Sequence, residues 1–134
     1  MLLAPYLTFN GDCAEAFRFY AEVFDSKIDF LQTHGESPIA DEVPSEWSDA
    51  VIHAQMKIGD QNLMASDVPG DRYDRPAGFS ISLHFDDISR ARQVFDNLAK
   101  GGAITMELEK TFWSPLFGML VDRFGVPWTI NCKP

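Results

Sequence analysis

Apolar and polar positions along the chain change period in one order, and then do so again. Residues 3–9 (Leu-Ala-Pro-Tyr-Leu-Thr-Phe) predict a strand, and Asn10-Gly11 breaks it. Asp12 with Glu15 predicts a helix N-cap with its reciprocal acidic partner. Cys13, Ala16, Phe17, Tyr20, Val23 and Phe24 follow at helical spacing and make one apolar stripe. Residues 27–34 return to a strand pattern. The stretch from Gly35 to Asp49 holds two prolines and several acids without a period, which predicts a long loop. Strands follow over 50–58 and 62–67, joined by a Gly59-Asp60 turn.

Residues 68–78 have linker composition, and the order then repeats. Phe79 to Phe85 alternates apolar with polar. Asp87 opens a helix carrying Ile88, Ala91, Val94, Phe95 and Leu98, which Gly101-Gly102 closes. Strands over 103–110, 117–123 and 127–132 complete the set, with Arg123-Phe124-Gly125 as the last turn. An offset of 75 lays Asp12 on Asp87, Cys13 on Ile88, Ala16 on Ala91, Tyr20 on Phe95 and Val23 on Leu98. Gly59 and Gly125 share a turn at an offset of 66. Any two amphipathic helices overlay this well, so the matching order of the elements carries the repeat.

Composition narrows the field. A chain of 134 residues with 46% hydrophobic and 23% charged residues fits one globular domain. No apolar run approaches the roughly 20 residues that span a bilayer, and Met1-Leu2-Leu3-Ala4-Pro5 lacks the basic start of a signal peptide. A cytoplasmic location is the expectation. The formal net charge of −9 opposes nucleic acid and anionic membranes as partners and favours a cationic ligand if any charged one. Cys13 and Cys132, far apart in the sequence and in a reducing compartment, are expected as buried thiols and not a disulfide.

Several segments together resemble one family. Pro5-Tyr6-Leu7-Thr8-Phe9 leads into Cys13-Ala14-Glu15-Ala16-Phe17-Arg18-Phe19-Tyr20. Ile52-His53-Ala54 precedes Ile58-Gly59-Asp60 and Leu63-Met64-Ala65-Ser66-Asp67. The tail carries Thr111-Phe112-Trp113, Phe117-Gly118 and Asp122-Arg123-Phe124-Gly125-Val126-Pro127-Trp128-Thr129-Ile130-Asn131. This pattern is similar to that of PhnB-like proteins in the vicinal-oxygen-chelate (glyoxalase/bleomycin-resistance/dioxygenase) superfamily. The resemblance covers the whole chain. It implies an α+β fold of two βαβββ modules, 1–67 and 78–134, forming a curved mixed-sheet cup with helices on the outer face. It also implies a homodimer, and an enzyme of this type would hold a divalent metal in its cup as a Lewis acid. Fold alone does not assign function.

Mapped through the family pattern, the four metal-ligand positions fall on Pro5, Leu63, Ser80 and Thr129. None offers the imidazole or carboxylate that such an ion needs. Shifting the register by one or two residues supplies at best a weak amide ligand, Gln61 or Asn131, in each of two strands. The expectation is therefore no metal and no cofactor. The histidines build no replacement, since none has an acidic partner at ligand spacing. Strand alternation places His53 with Gln55 and Lys57, opposite Ile52, Ala54, Met56 and Ile58. It places His84 with Ser80 and Ser82. His53 is the candidate catalytic acid or base because imidazole titrates near neutrality.

Large aromatic rings near loops suit a pocket wall. Core packing accounts for Trp128, whereas Trp47 and Trp113 lie on less regular segments. The candidate pocket is Trp47, His53, Ser80, Ser82, His84, Trp113, Thr129 and Asn131. Relatives of this pattern are labelled 3-demethylubiquinone methyltransferases, but the glycine-rich turn of such enzymes after a first strand is missing. Four readings follow. They are a metal-free small-molecule binding protein of the bleomycin-resistance type, a metal-free lyase or isomerase using His53, a metal-dependent glyoxalase or dioxygenase, and a structural dimer. The ligand is an unidentified small molecule.

Overall fold

The computed structural model describes residues 1–134. The chain folds as two compact units, Met1–Tyr73 and Asp74–Pro134. In the first, β1 (Tyr6–Phe9), α1 (Cys13–Val23), β2 (Ile28–Thr33), β3 (Val51–Ile58) and β4 (Gln61–Asp67) follow one another. The sheet order is β1-β4-β3-β2, with β1 parallel to β4 and the other pairs antiparallel. The second unit repeats this with β5 (Ile81–Phe85), α2 (Ile88–Leu98), β6 (Ala103–Glu109), β7 (Phe117–Val121) and β8 (Pro127–Cys132) in the order β5-β8-β7-β6. The α+β class and the doubled βαβββ plan follow the sequence expectation.

Each helix covers one face of its own sheet. The stripe Cys13, Ala16, Phe17, Tyr20 and Val23 is buried, as are Leu7, Phe9, Ala54, Met56, Leu63 and Ala65 of the sheet beneath it. Ala91, Val94, Phe95 and Leu98 of α2 are buried in the same way, with Leu120, Trp128, Ile130 and Cys132 from β7 and β8. Gly118 faces α2 so closely that an added Cβ would stand 2.9 Å from the Phe95 ring. Its strand neighbours Phe117 and Met119 consequently point to the opposite, uncovered face. Both inter-strand turns place glycine at positive φ, 62° for Gly59 and 89° for Gly125, where a side chain would be strained.

Three local expectations need correction. The first strand starts at Tyr6, not Leu3, and Leu2 and Leu3 are exposed. Pro5 has no amide to give the ladder, although its carbonyl accepts from the Met64 N–H at 3.1 Å. A register shift opposite Gln32 and Thr33 makes Val51, and not Ile52, the buried residue at the start of β3. The third concerns Asp12, whose side chain makes no capping bond.

The α1 terminus is capped from across the unit. One oxygen of Asp67, at the end of β4, accepts from the N–H groups of Gly11 at 2.9 Å and Cys13 at 3.0 Å. Its other oxygen accepts from the Val51 N–H at 2.8 Å. Asp12, freed from that task, sits partly buried beside this charge. Burial first, and then the Asp67 and Glu15 carboxylates, push its pKa upward. The α2 terminus follows the simpler local pattern, because the Asp87 carboxylate accepts from its own Ser89 and Arg90 N–H groups.

A second buried carboxylate, Asp122, organises the last turn. It accepts from the N–H groups of Phe124 and Val126 and from the Trp128 indole at 2.9 Å. Replacement of a buried acceptor that holds several backbone donors leaves those donors unpaired. We expect Asp67→Ala to cost about 3 kcal/mol or more of unfolding free energy in urea melts. Asp12→Ala, which removes no capping bond, should change it little. Equal losses from the two would refute Asp67 as the cap.

Candidate functional site

The face of each sheet turned away from its helix carries the polar candidates. In the first unit, Tyr6 stands at the start of β1 and His53 in β3. The Tyr6 hydroxyl lies 3.1 Å from His53 Nδ1, and the two rings stack with centroids 5.7 Å apart and planes at 27°. Phe30 of β2, the strand beside β3, approaches the imidazole at 5.8 Å between centroids. Tyr6 and Phe30 are 51% and 47% exposed, far more than core aromatics would be. Gln55 and Asn62 extend the face with a side-chain hydrogen bond of 3.1 Å. The Tyr6 hydroxyl can donate to a bare Nδ1 or accept from a protonated one, and either way the contact orients the ring.

Tyr6 and Phe30 were not among the sequence candidates. Tyr6 resembles a core residue of a strand until β1 is seen to pair with β4 in the register Tyr6 to Met64. Alternation from that register sends Leu7 and Phe9 to the helix and Tyr6 and Thr8 away from it. Trp47 does not join the group. It ends a short 3-10 turn, packs edge-on against His34 at 5.6 Å, and lines a separate cleft with Asn10, Gly11, Glu46 and Asp49.

In the second unit, Ser80, Ser82, His84, Thr129 and Asn131 are gathered on one face. Ser80 and Thr129 share a hydroxyl hydrogen bond of 2.7 Å. The Asn131 amide lies 3.1 Å from His84 Nδ1, and His84 Nε2 lies 3.0 Å from the Ser82 hydroxyl. Cross-strand register sets Phe117 opposite Asn131 and Met119 opposite Thr129 on the same face. Trp113 meets Phe117 edge to face at 5.3 Å and Phe112 at 4.7 Å. A tight turn holds this loop out, with the Thr111 hydroxyl accepting from the Trp113 and Ser114 N–H groups. Phe112 is wholly exposed and Trp113 about half so.

The metal positions can be tested against these faces. Leu63 is 2% exposed on the helix side, so the residue presented opposite Tyr6 is Met64. The mapping from sequence was therefore one residue out of register in the first unit. Tyr6, Met64, Ser80 and Thr129 supply a phenol, a thioether and two neutral hydroxyls, which are poor donors for a divalent ion of the glyoxalase type. No three His, Cys, Asp or Glu side chains come together in a group that could hold a metal ion. The residues present do not fit the superfamily's metal.

The family emerges from sequence and fold together. The chain belongs to the family described as 3-demethylubiquinone-9 3-methyltransferase, whose model matches residues 2–131. It is 40% identical to the crystal structure of protein PA1353 from Pseudomonas aeruginosa (99% of this chain, 98% of that one, TM-score 0.90). A putative 3-demethylubiquinone-9 3-methyltransferase, PhnB protein, from Bacillus cereus is 30% identical (99% and 100%, TM-score 0.82). Protein YjdN of Escherichia coli strain K12 is 34% identical over 98% of this chain and 95% of its own. The fosfomycin resistance protein FosX of Listeria monocytogenes shares only the fold, at 10% identity and TM-score 0.70 over 100% of this chain and 94% of its own. That fold is the vicinal-oxygen-chelate one. No helix is long and apolar enough to cross a membrane.

Neither thiol is placed for chemistry. Cys13 and Cys132 are fully buried, and burial raises the pKa of both, helped at Cys13 by the Asp67 and Asp12 charges. A thiol-specific reagent at pH 8 should label neither in the folded protein and both in denaturant. Labelling of the native protein at the unfolded rate would show that one thiol is accessible.

Proposed function

We propose that the chain is a small-molecule binding protein of the glyoxalase/bleomycin-resistance type that works without the superfamily's metal. One observation carries this reading. The uncovered sheet faces present hydroxyl and amide side chains and one imidazole each beside exposed aromatic rings, and no three His, Cys, Asp or Glu side chains gather there. Such faces hold a ligand by stacking, apolar contact and a few oriented hydrogen bonds. The net charge of −9 favours an organic cation over an anion. In this reading the protein is a cytoplasmic homodimer that takes neither nucleic acid nor membrane as partner.

Methyl transfer, the activity in the family's description, is not part of the reading. Between β1 and α1 runs Asn10-Gly11-Asp12, with a single glycine, and the N–H groups of Gly11 and Cys13 are already taken by the Asp67 carboxylate. A cofactor would have to displace an internal anion there.

The test combines metal analysis with thermal melts. Protein purified without chelators should carry no stoichiometric divalent metal. Organic ammonium compounds at a hundred times their dissociation constant should stabilise it by about 2.7 kcal/mol. A full equivalent of tightly held Zn, Ni or Mn would overturn the proposal.

A second reading is favoured by the Tyr6–His53 contact. The chain would then be a metal-free lyase or isomerase in which His53, oriented by the Tyr6 hydroxyl and flanked by two rings, gives or takes a proton through Nε2. In that case His53→Ala should lower turnover about a hundredfold or more while ligand binding persists. Binding and turnover lost in parallel would leave His53 as a contact residue only.

A further inference from the structure

Across the first unit's uncovered face the ladders set four side chains in one row. Tyr6 stands opposite Met64, Met64 opposite Gln55, and Gln55 opposite Phe30. His53, on the same face of β3 as Gln55, contacts both end rings, at 5.7 Å to Tyr6 and 5.8 Å to Phe30 between centroids. Gln55 also hydrogen-bonds Asn62, and that bond leaves half of each amide unspent. Gln55 Nε2 donates to Asn62 Oδ1 at 3.1 Å, so Gln55 Oε1 keeps its lone pairs and Asn62 Nδ2 its protons. Turning both amides over exchanges the two roles and leaves the same remainder, one acceptor and one donor. The buried side-chain atoms that lack a partner are His34 Nδ1 and Asn131 Oδ1 alone, so the unspent atoms of Gln55 and Asn62 are open to solvent.

The surroundings restrict what can use this pair. Tyr6 and Phe30 are half exposed, and Met64 lies between Tyr6 and Gln55, so rings and a thioether border the amides. The charged neighbour is Lys57, exposed and opposite Asn62 in the ladder. Its ammonium adds donors at that end of the face and no acceptor, which leaves the role of the free amide oxygen untouched. We propose that this face binds an aromatic carboxamide or lactam, a ligand whose amide carries a donor and an acceptor together. The ligand N–H bonds to the free oxygen of the Gln55–Asn62 pair, and its carbonyl accepts from the free nitrogen. Its ring packs against Tyr6, Phe30 and Met64. Gln55 and Asn62 are then the residues that select the ligand's polar group. The inference rests on the binding-protein reading and names a ligand class within it. A neutral amide draws nothing from the net charge.

Benzamide and acetophenone are the probes. They match in size and share ring and carbonyl, but acetophenone has a methyl group where benzamide has its amide nitrogen. In titrations of the full chain followed by NMR, benzamide should shift the Gln55 and Asn62 side-chain amide signals. It should bind about tenfold more tightly than acetophenone. Apolar contact alone would favour acetophenone, the less polar of the two. The double variant Gln55→Met with Asn62→Leu keeps the bulk, removes the amides and should abolish the preference. Equal binding of the two probes, tighter binding of acetophenone, shifts confined to other surfaces, or no binding of either would each overturn the inference. So would an unchanged preference in the double variant. The probe comparison on the unaltered protein stands even if the double variant does not fold. Stabilisation by organic cations without a benzamide preference would sink the amide selection and leave the broader binding function intact. A full equivalent of bound metal would overturn the metal-free reading without touching the probe comparison.

Discussion

The first unit depends on a single buried carboxylate. Asp67 is 6% exposed, and its two oxygens accept from Gly11, Cys13 and Val51. These donors belong to the turn after β1, the first residue of α1 and the first residue of β3. A charge so deeply placed is unfavourable unless hydrogen bonds replace its water. The three backbone N–H groups do this, and the positive end of the α1 dipole assists them. One side chain thus sets where the helix starts, where β3 enters the sheet and how β4 ends. The parallel pairing of β1 with β4 brings Phe9 opposite Asp67, so the same contact fixes the register that turns Tyr6 outward.

The second unit meets the same requirement by other means. Its residue equivalent to Asp67 in the parallel ladder is Cys132, which pairs with Phe85 as Asp67 pairs with Phe9. A thiol cannot cap a helix as a carboxylate does, and Asp87 caps α2 from its own first turn. The long-range tie passes instead to Ser114, whose one hydroxyl proton is shared between the Leu116 and Cys132 carbonyls, each 2.8 Å away. The buried charge moves to Asp122, which closes the β7–β8 turn and anchors the Trp128 indole. The repeat is one of topology and apolar spacing. The polar contacts that secure it are particular to each half.

This division explains what could be read from sequence. The helices span Cys13–Val23 and Ile88–Leu98, as the apolar stripes predict, because burial of one face selects the helical period in both. The turns at Gly59 and Gly125 were legible because their backbone excludes most other residues. The α1 cap was not. Asp12 and Asp87 look alike in their local sequence, and only the approach of Asp67, 55 positions away from Asp12, decides which carboxylate serves. Tyr6 was missed for a related reason. A residue in a four-residue strand faces the helix or solvent according to its ladder register, and Pro5 delayed that strand by three positions relative to its apolar pattern. The polar residues of the second unit were legible because Ser82 and His84 alternate with apolar residues along β5, with Ser80 just before its first residue.

Ladder register also decides which residues the uncovered faces present. A divalent-metal site asks the uncovered faces for imidazoles and carboxylates at the ladder positions where Tyr6, Met64, Ser80 and Thr129 stand. Three of these four residues already have a hydrogen-bond partner in their own surroundings. Tyr6 orients His53, and Ser80 and Thr129 satisfy one another. Replacing Tyr6, Ser80 or Thr129 by a metal ligand would break a hydrogen bond and leave its partner unpaired. What the two faces still offer is unspent capacity of a different kind. The first has the exposed rings of Tyr6 and Phe30 flanking the His53 imidazole. The second sets the Asn131 amide across the ladder from Phe117, which Trp113 meets edge to face. Rings beside hydrogen-bonding side chains are the surroundings in which an organic group's ring and polar edge can both find partners.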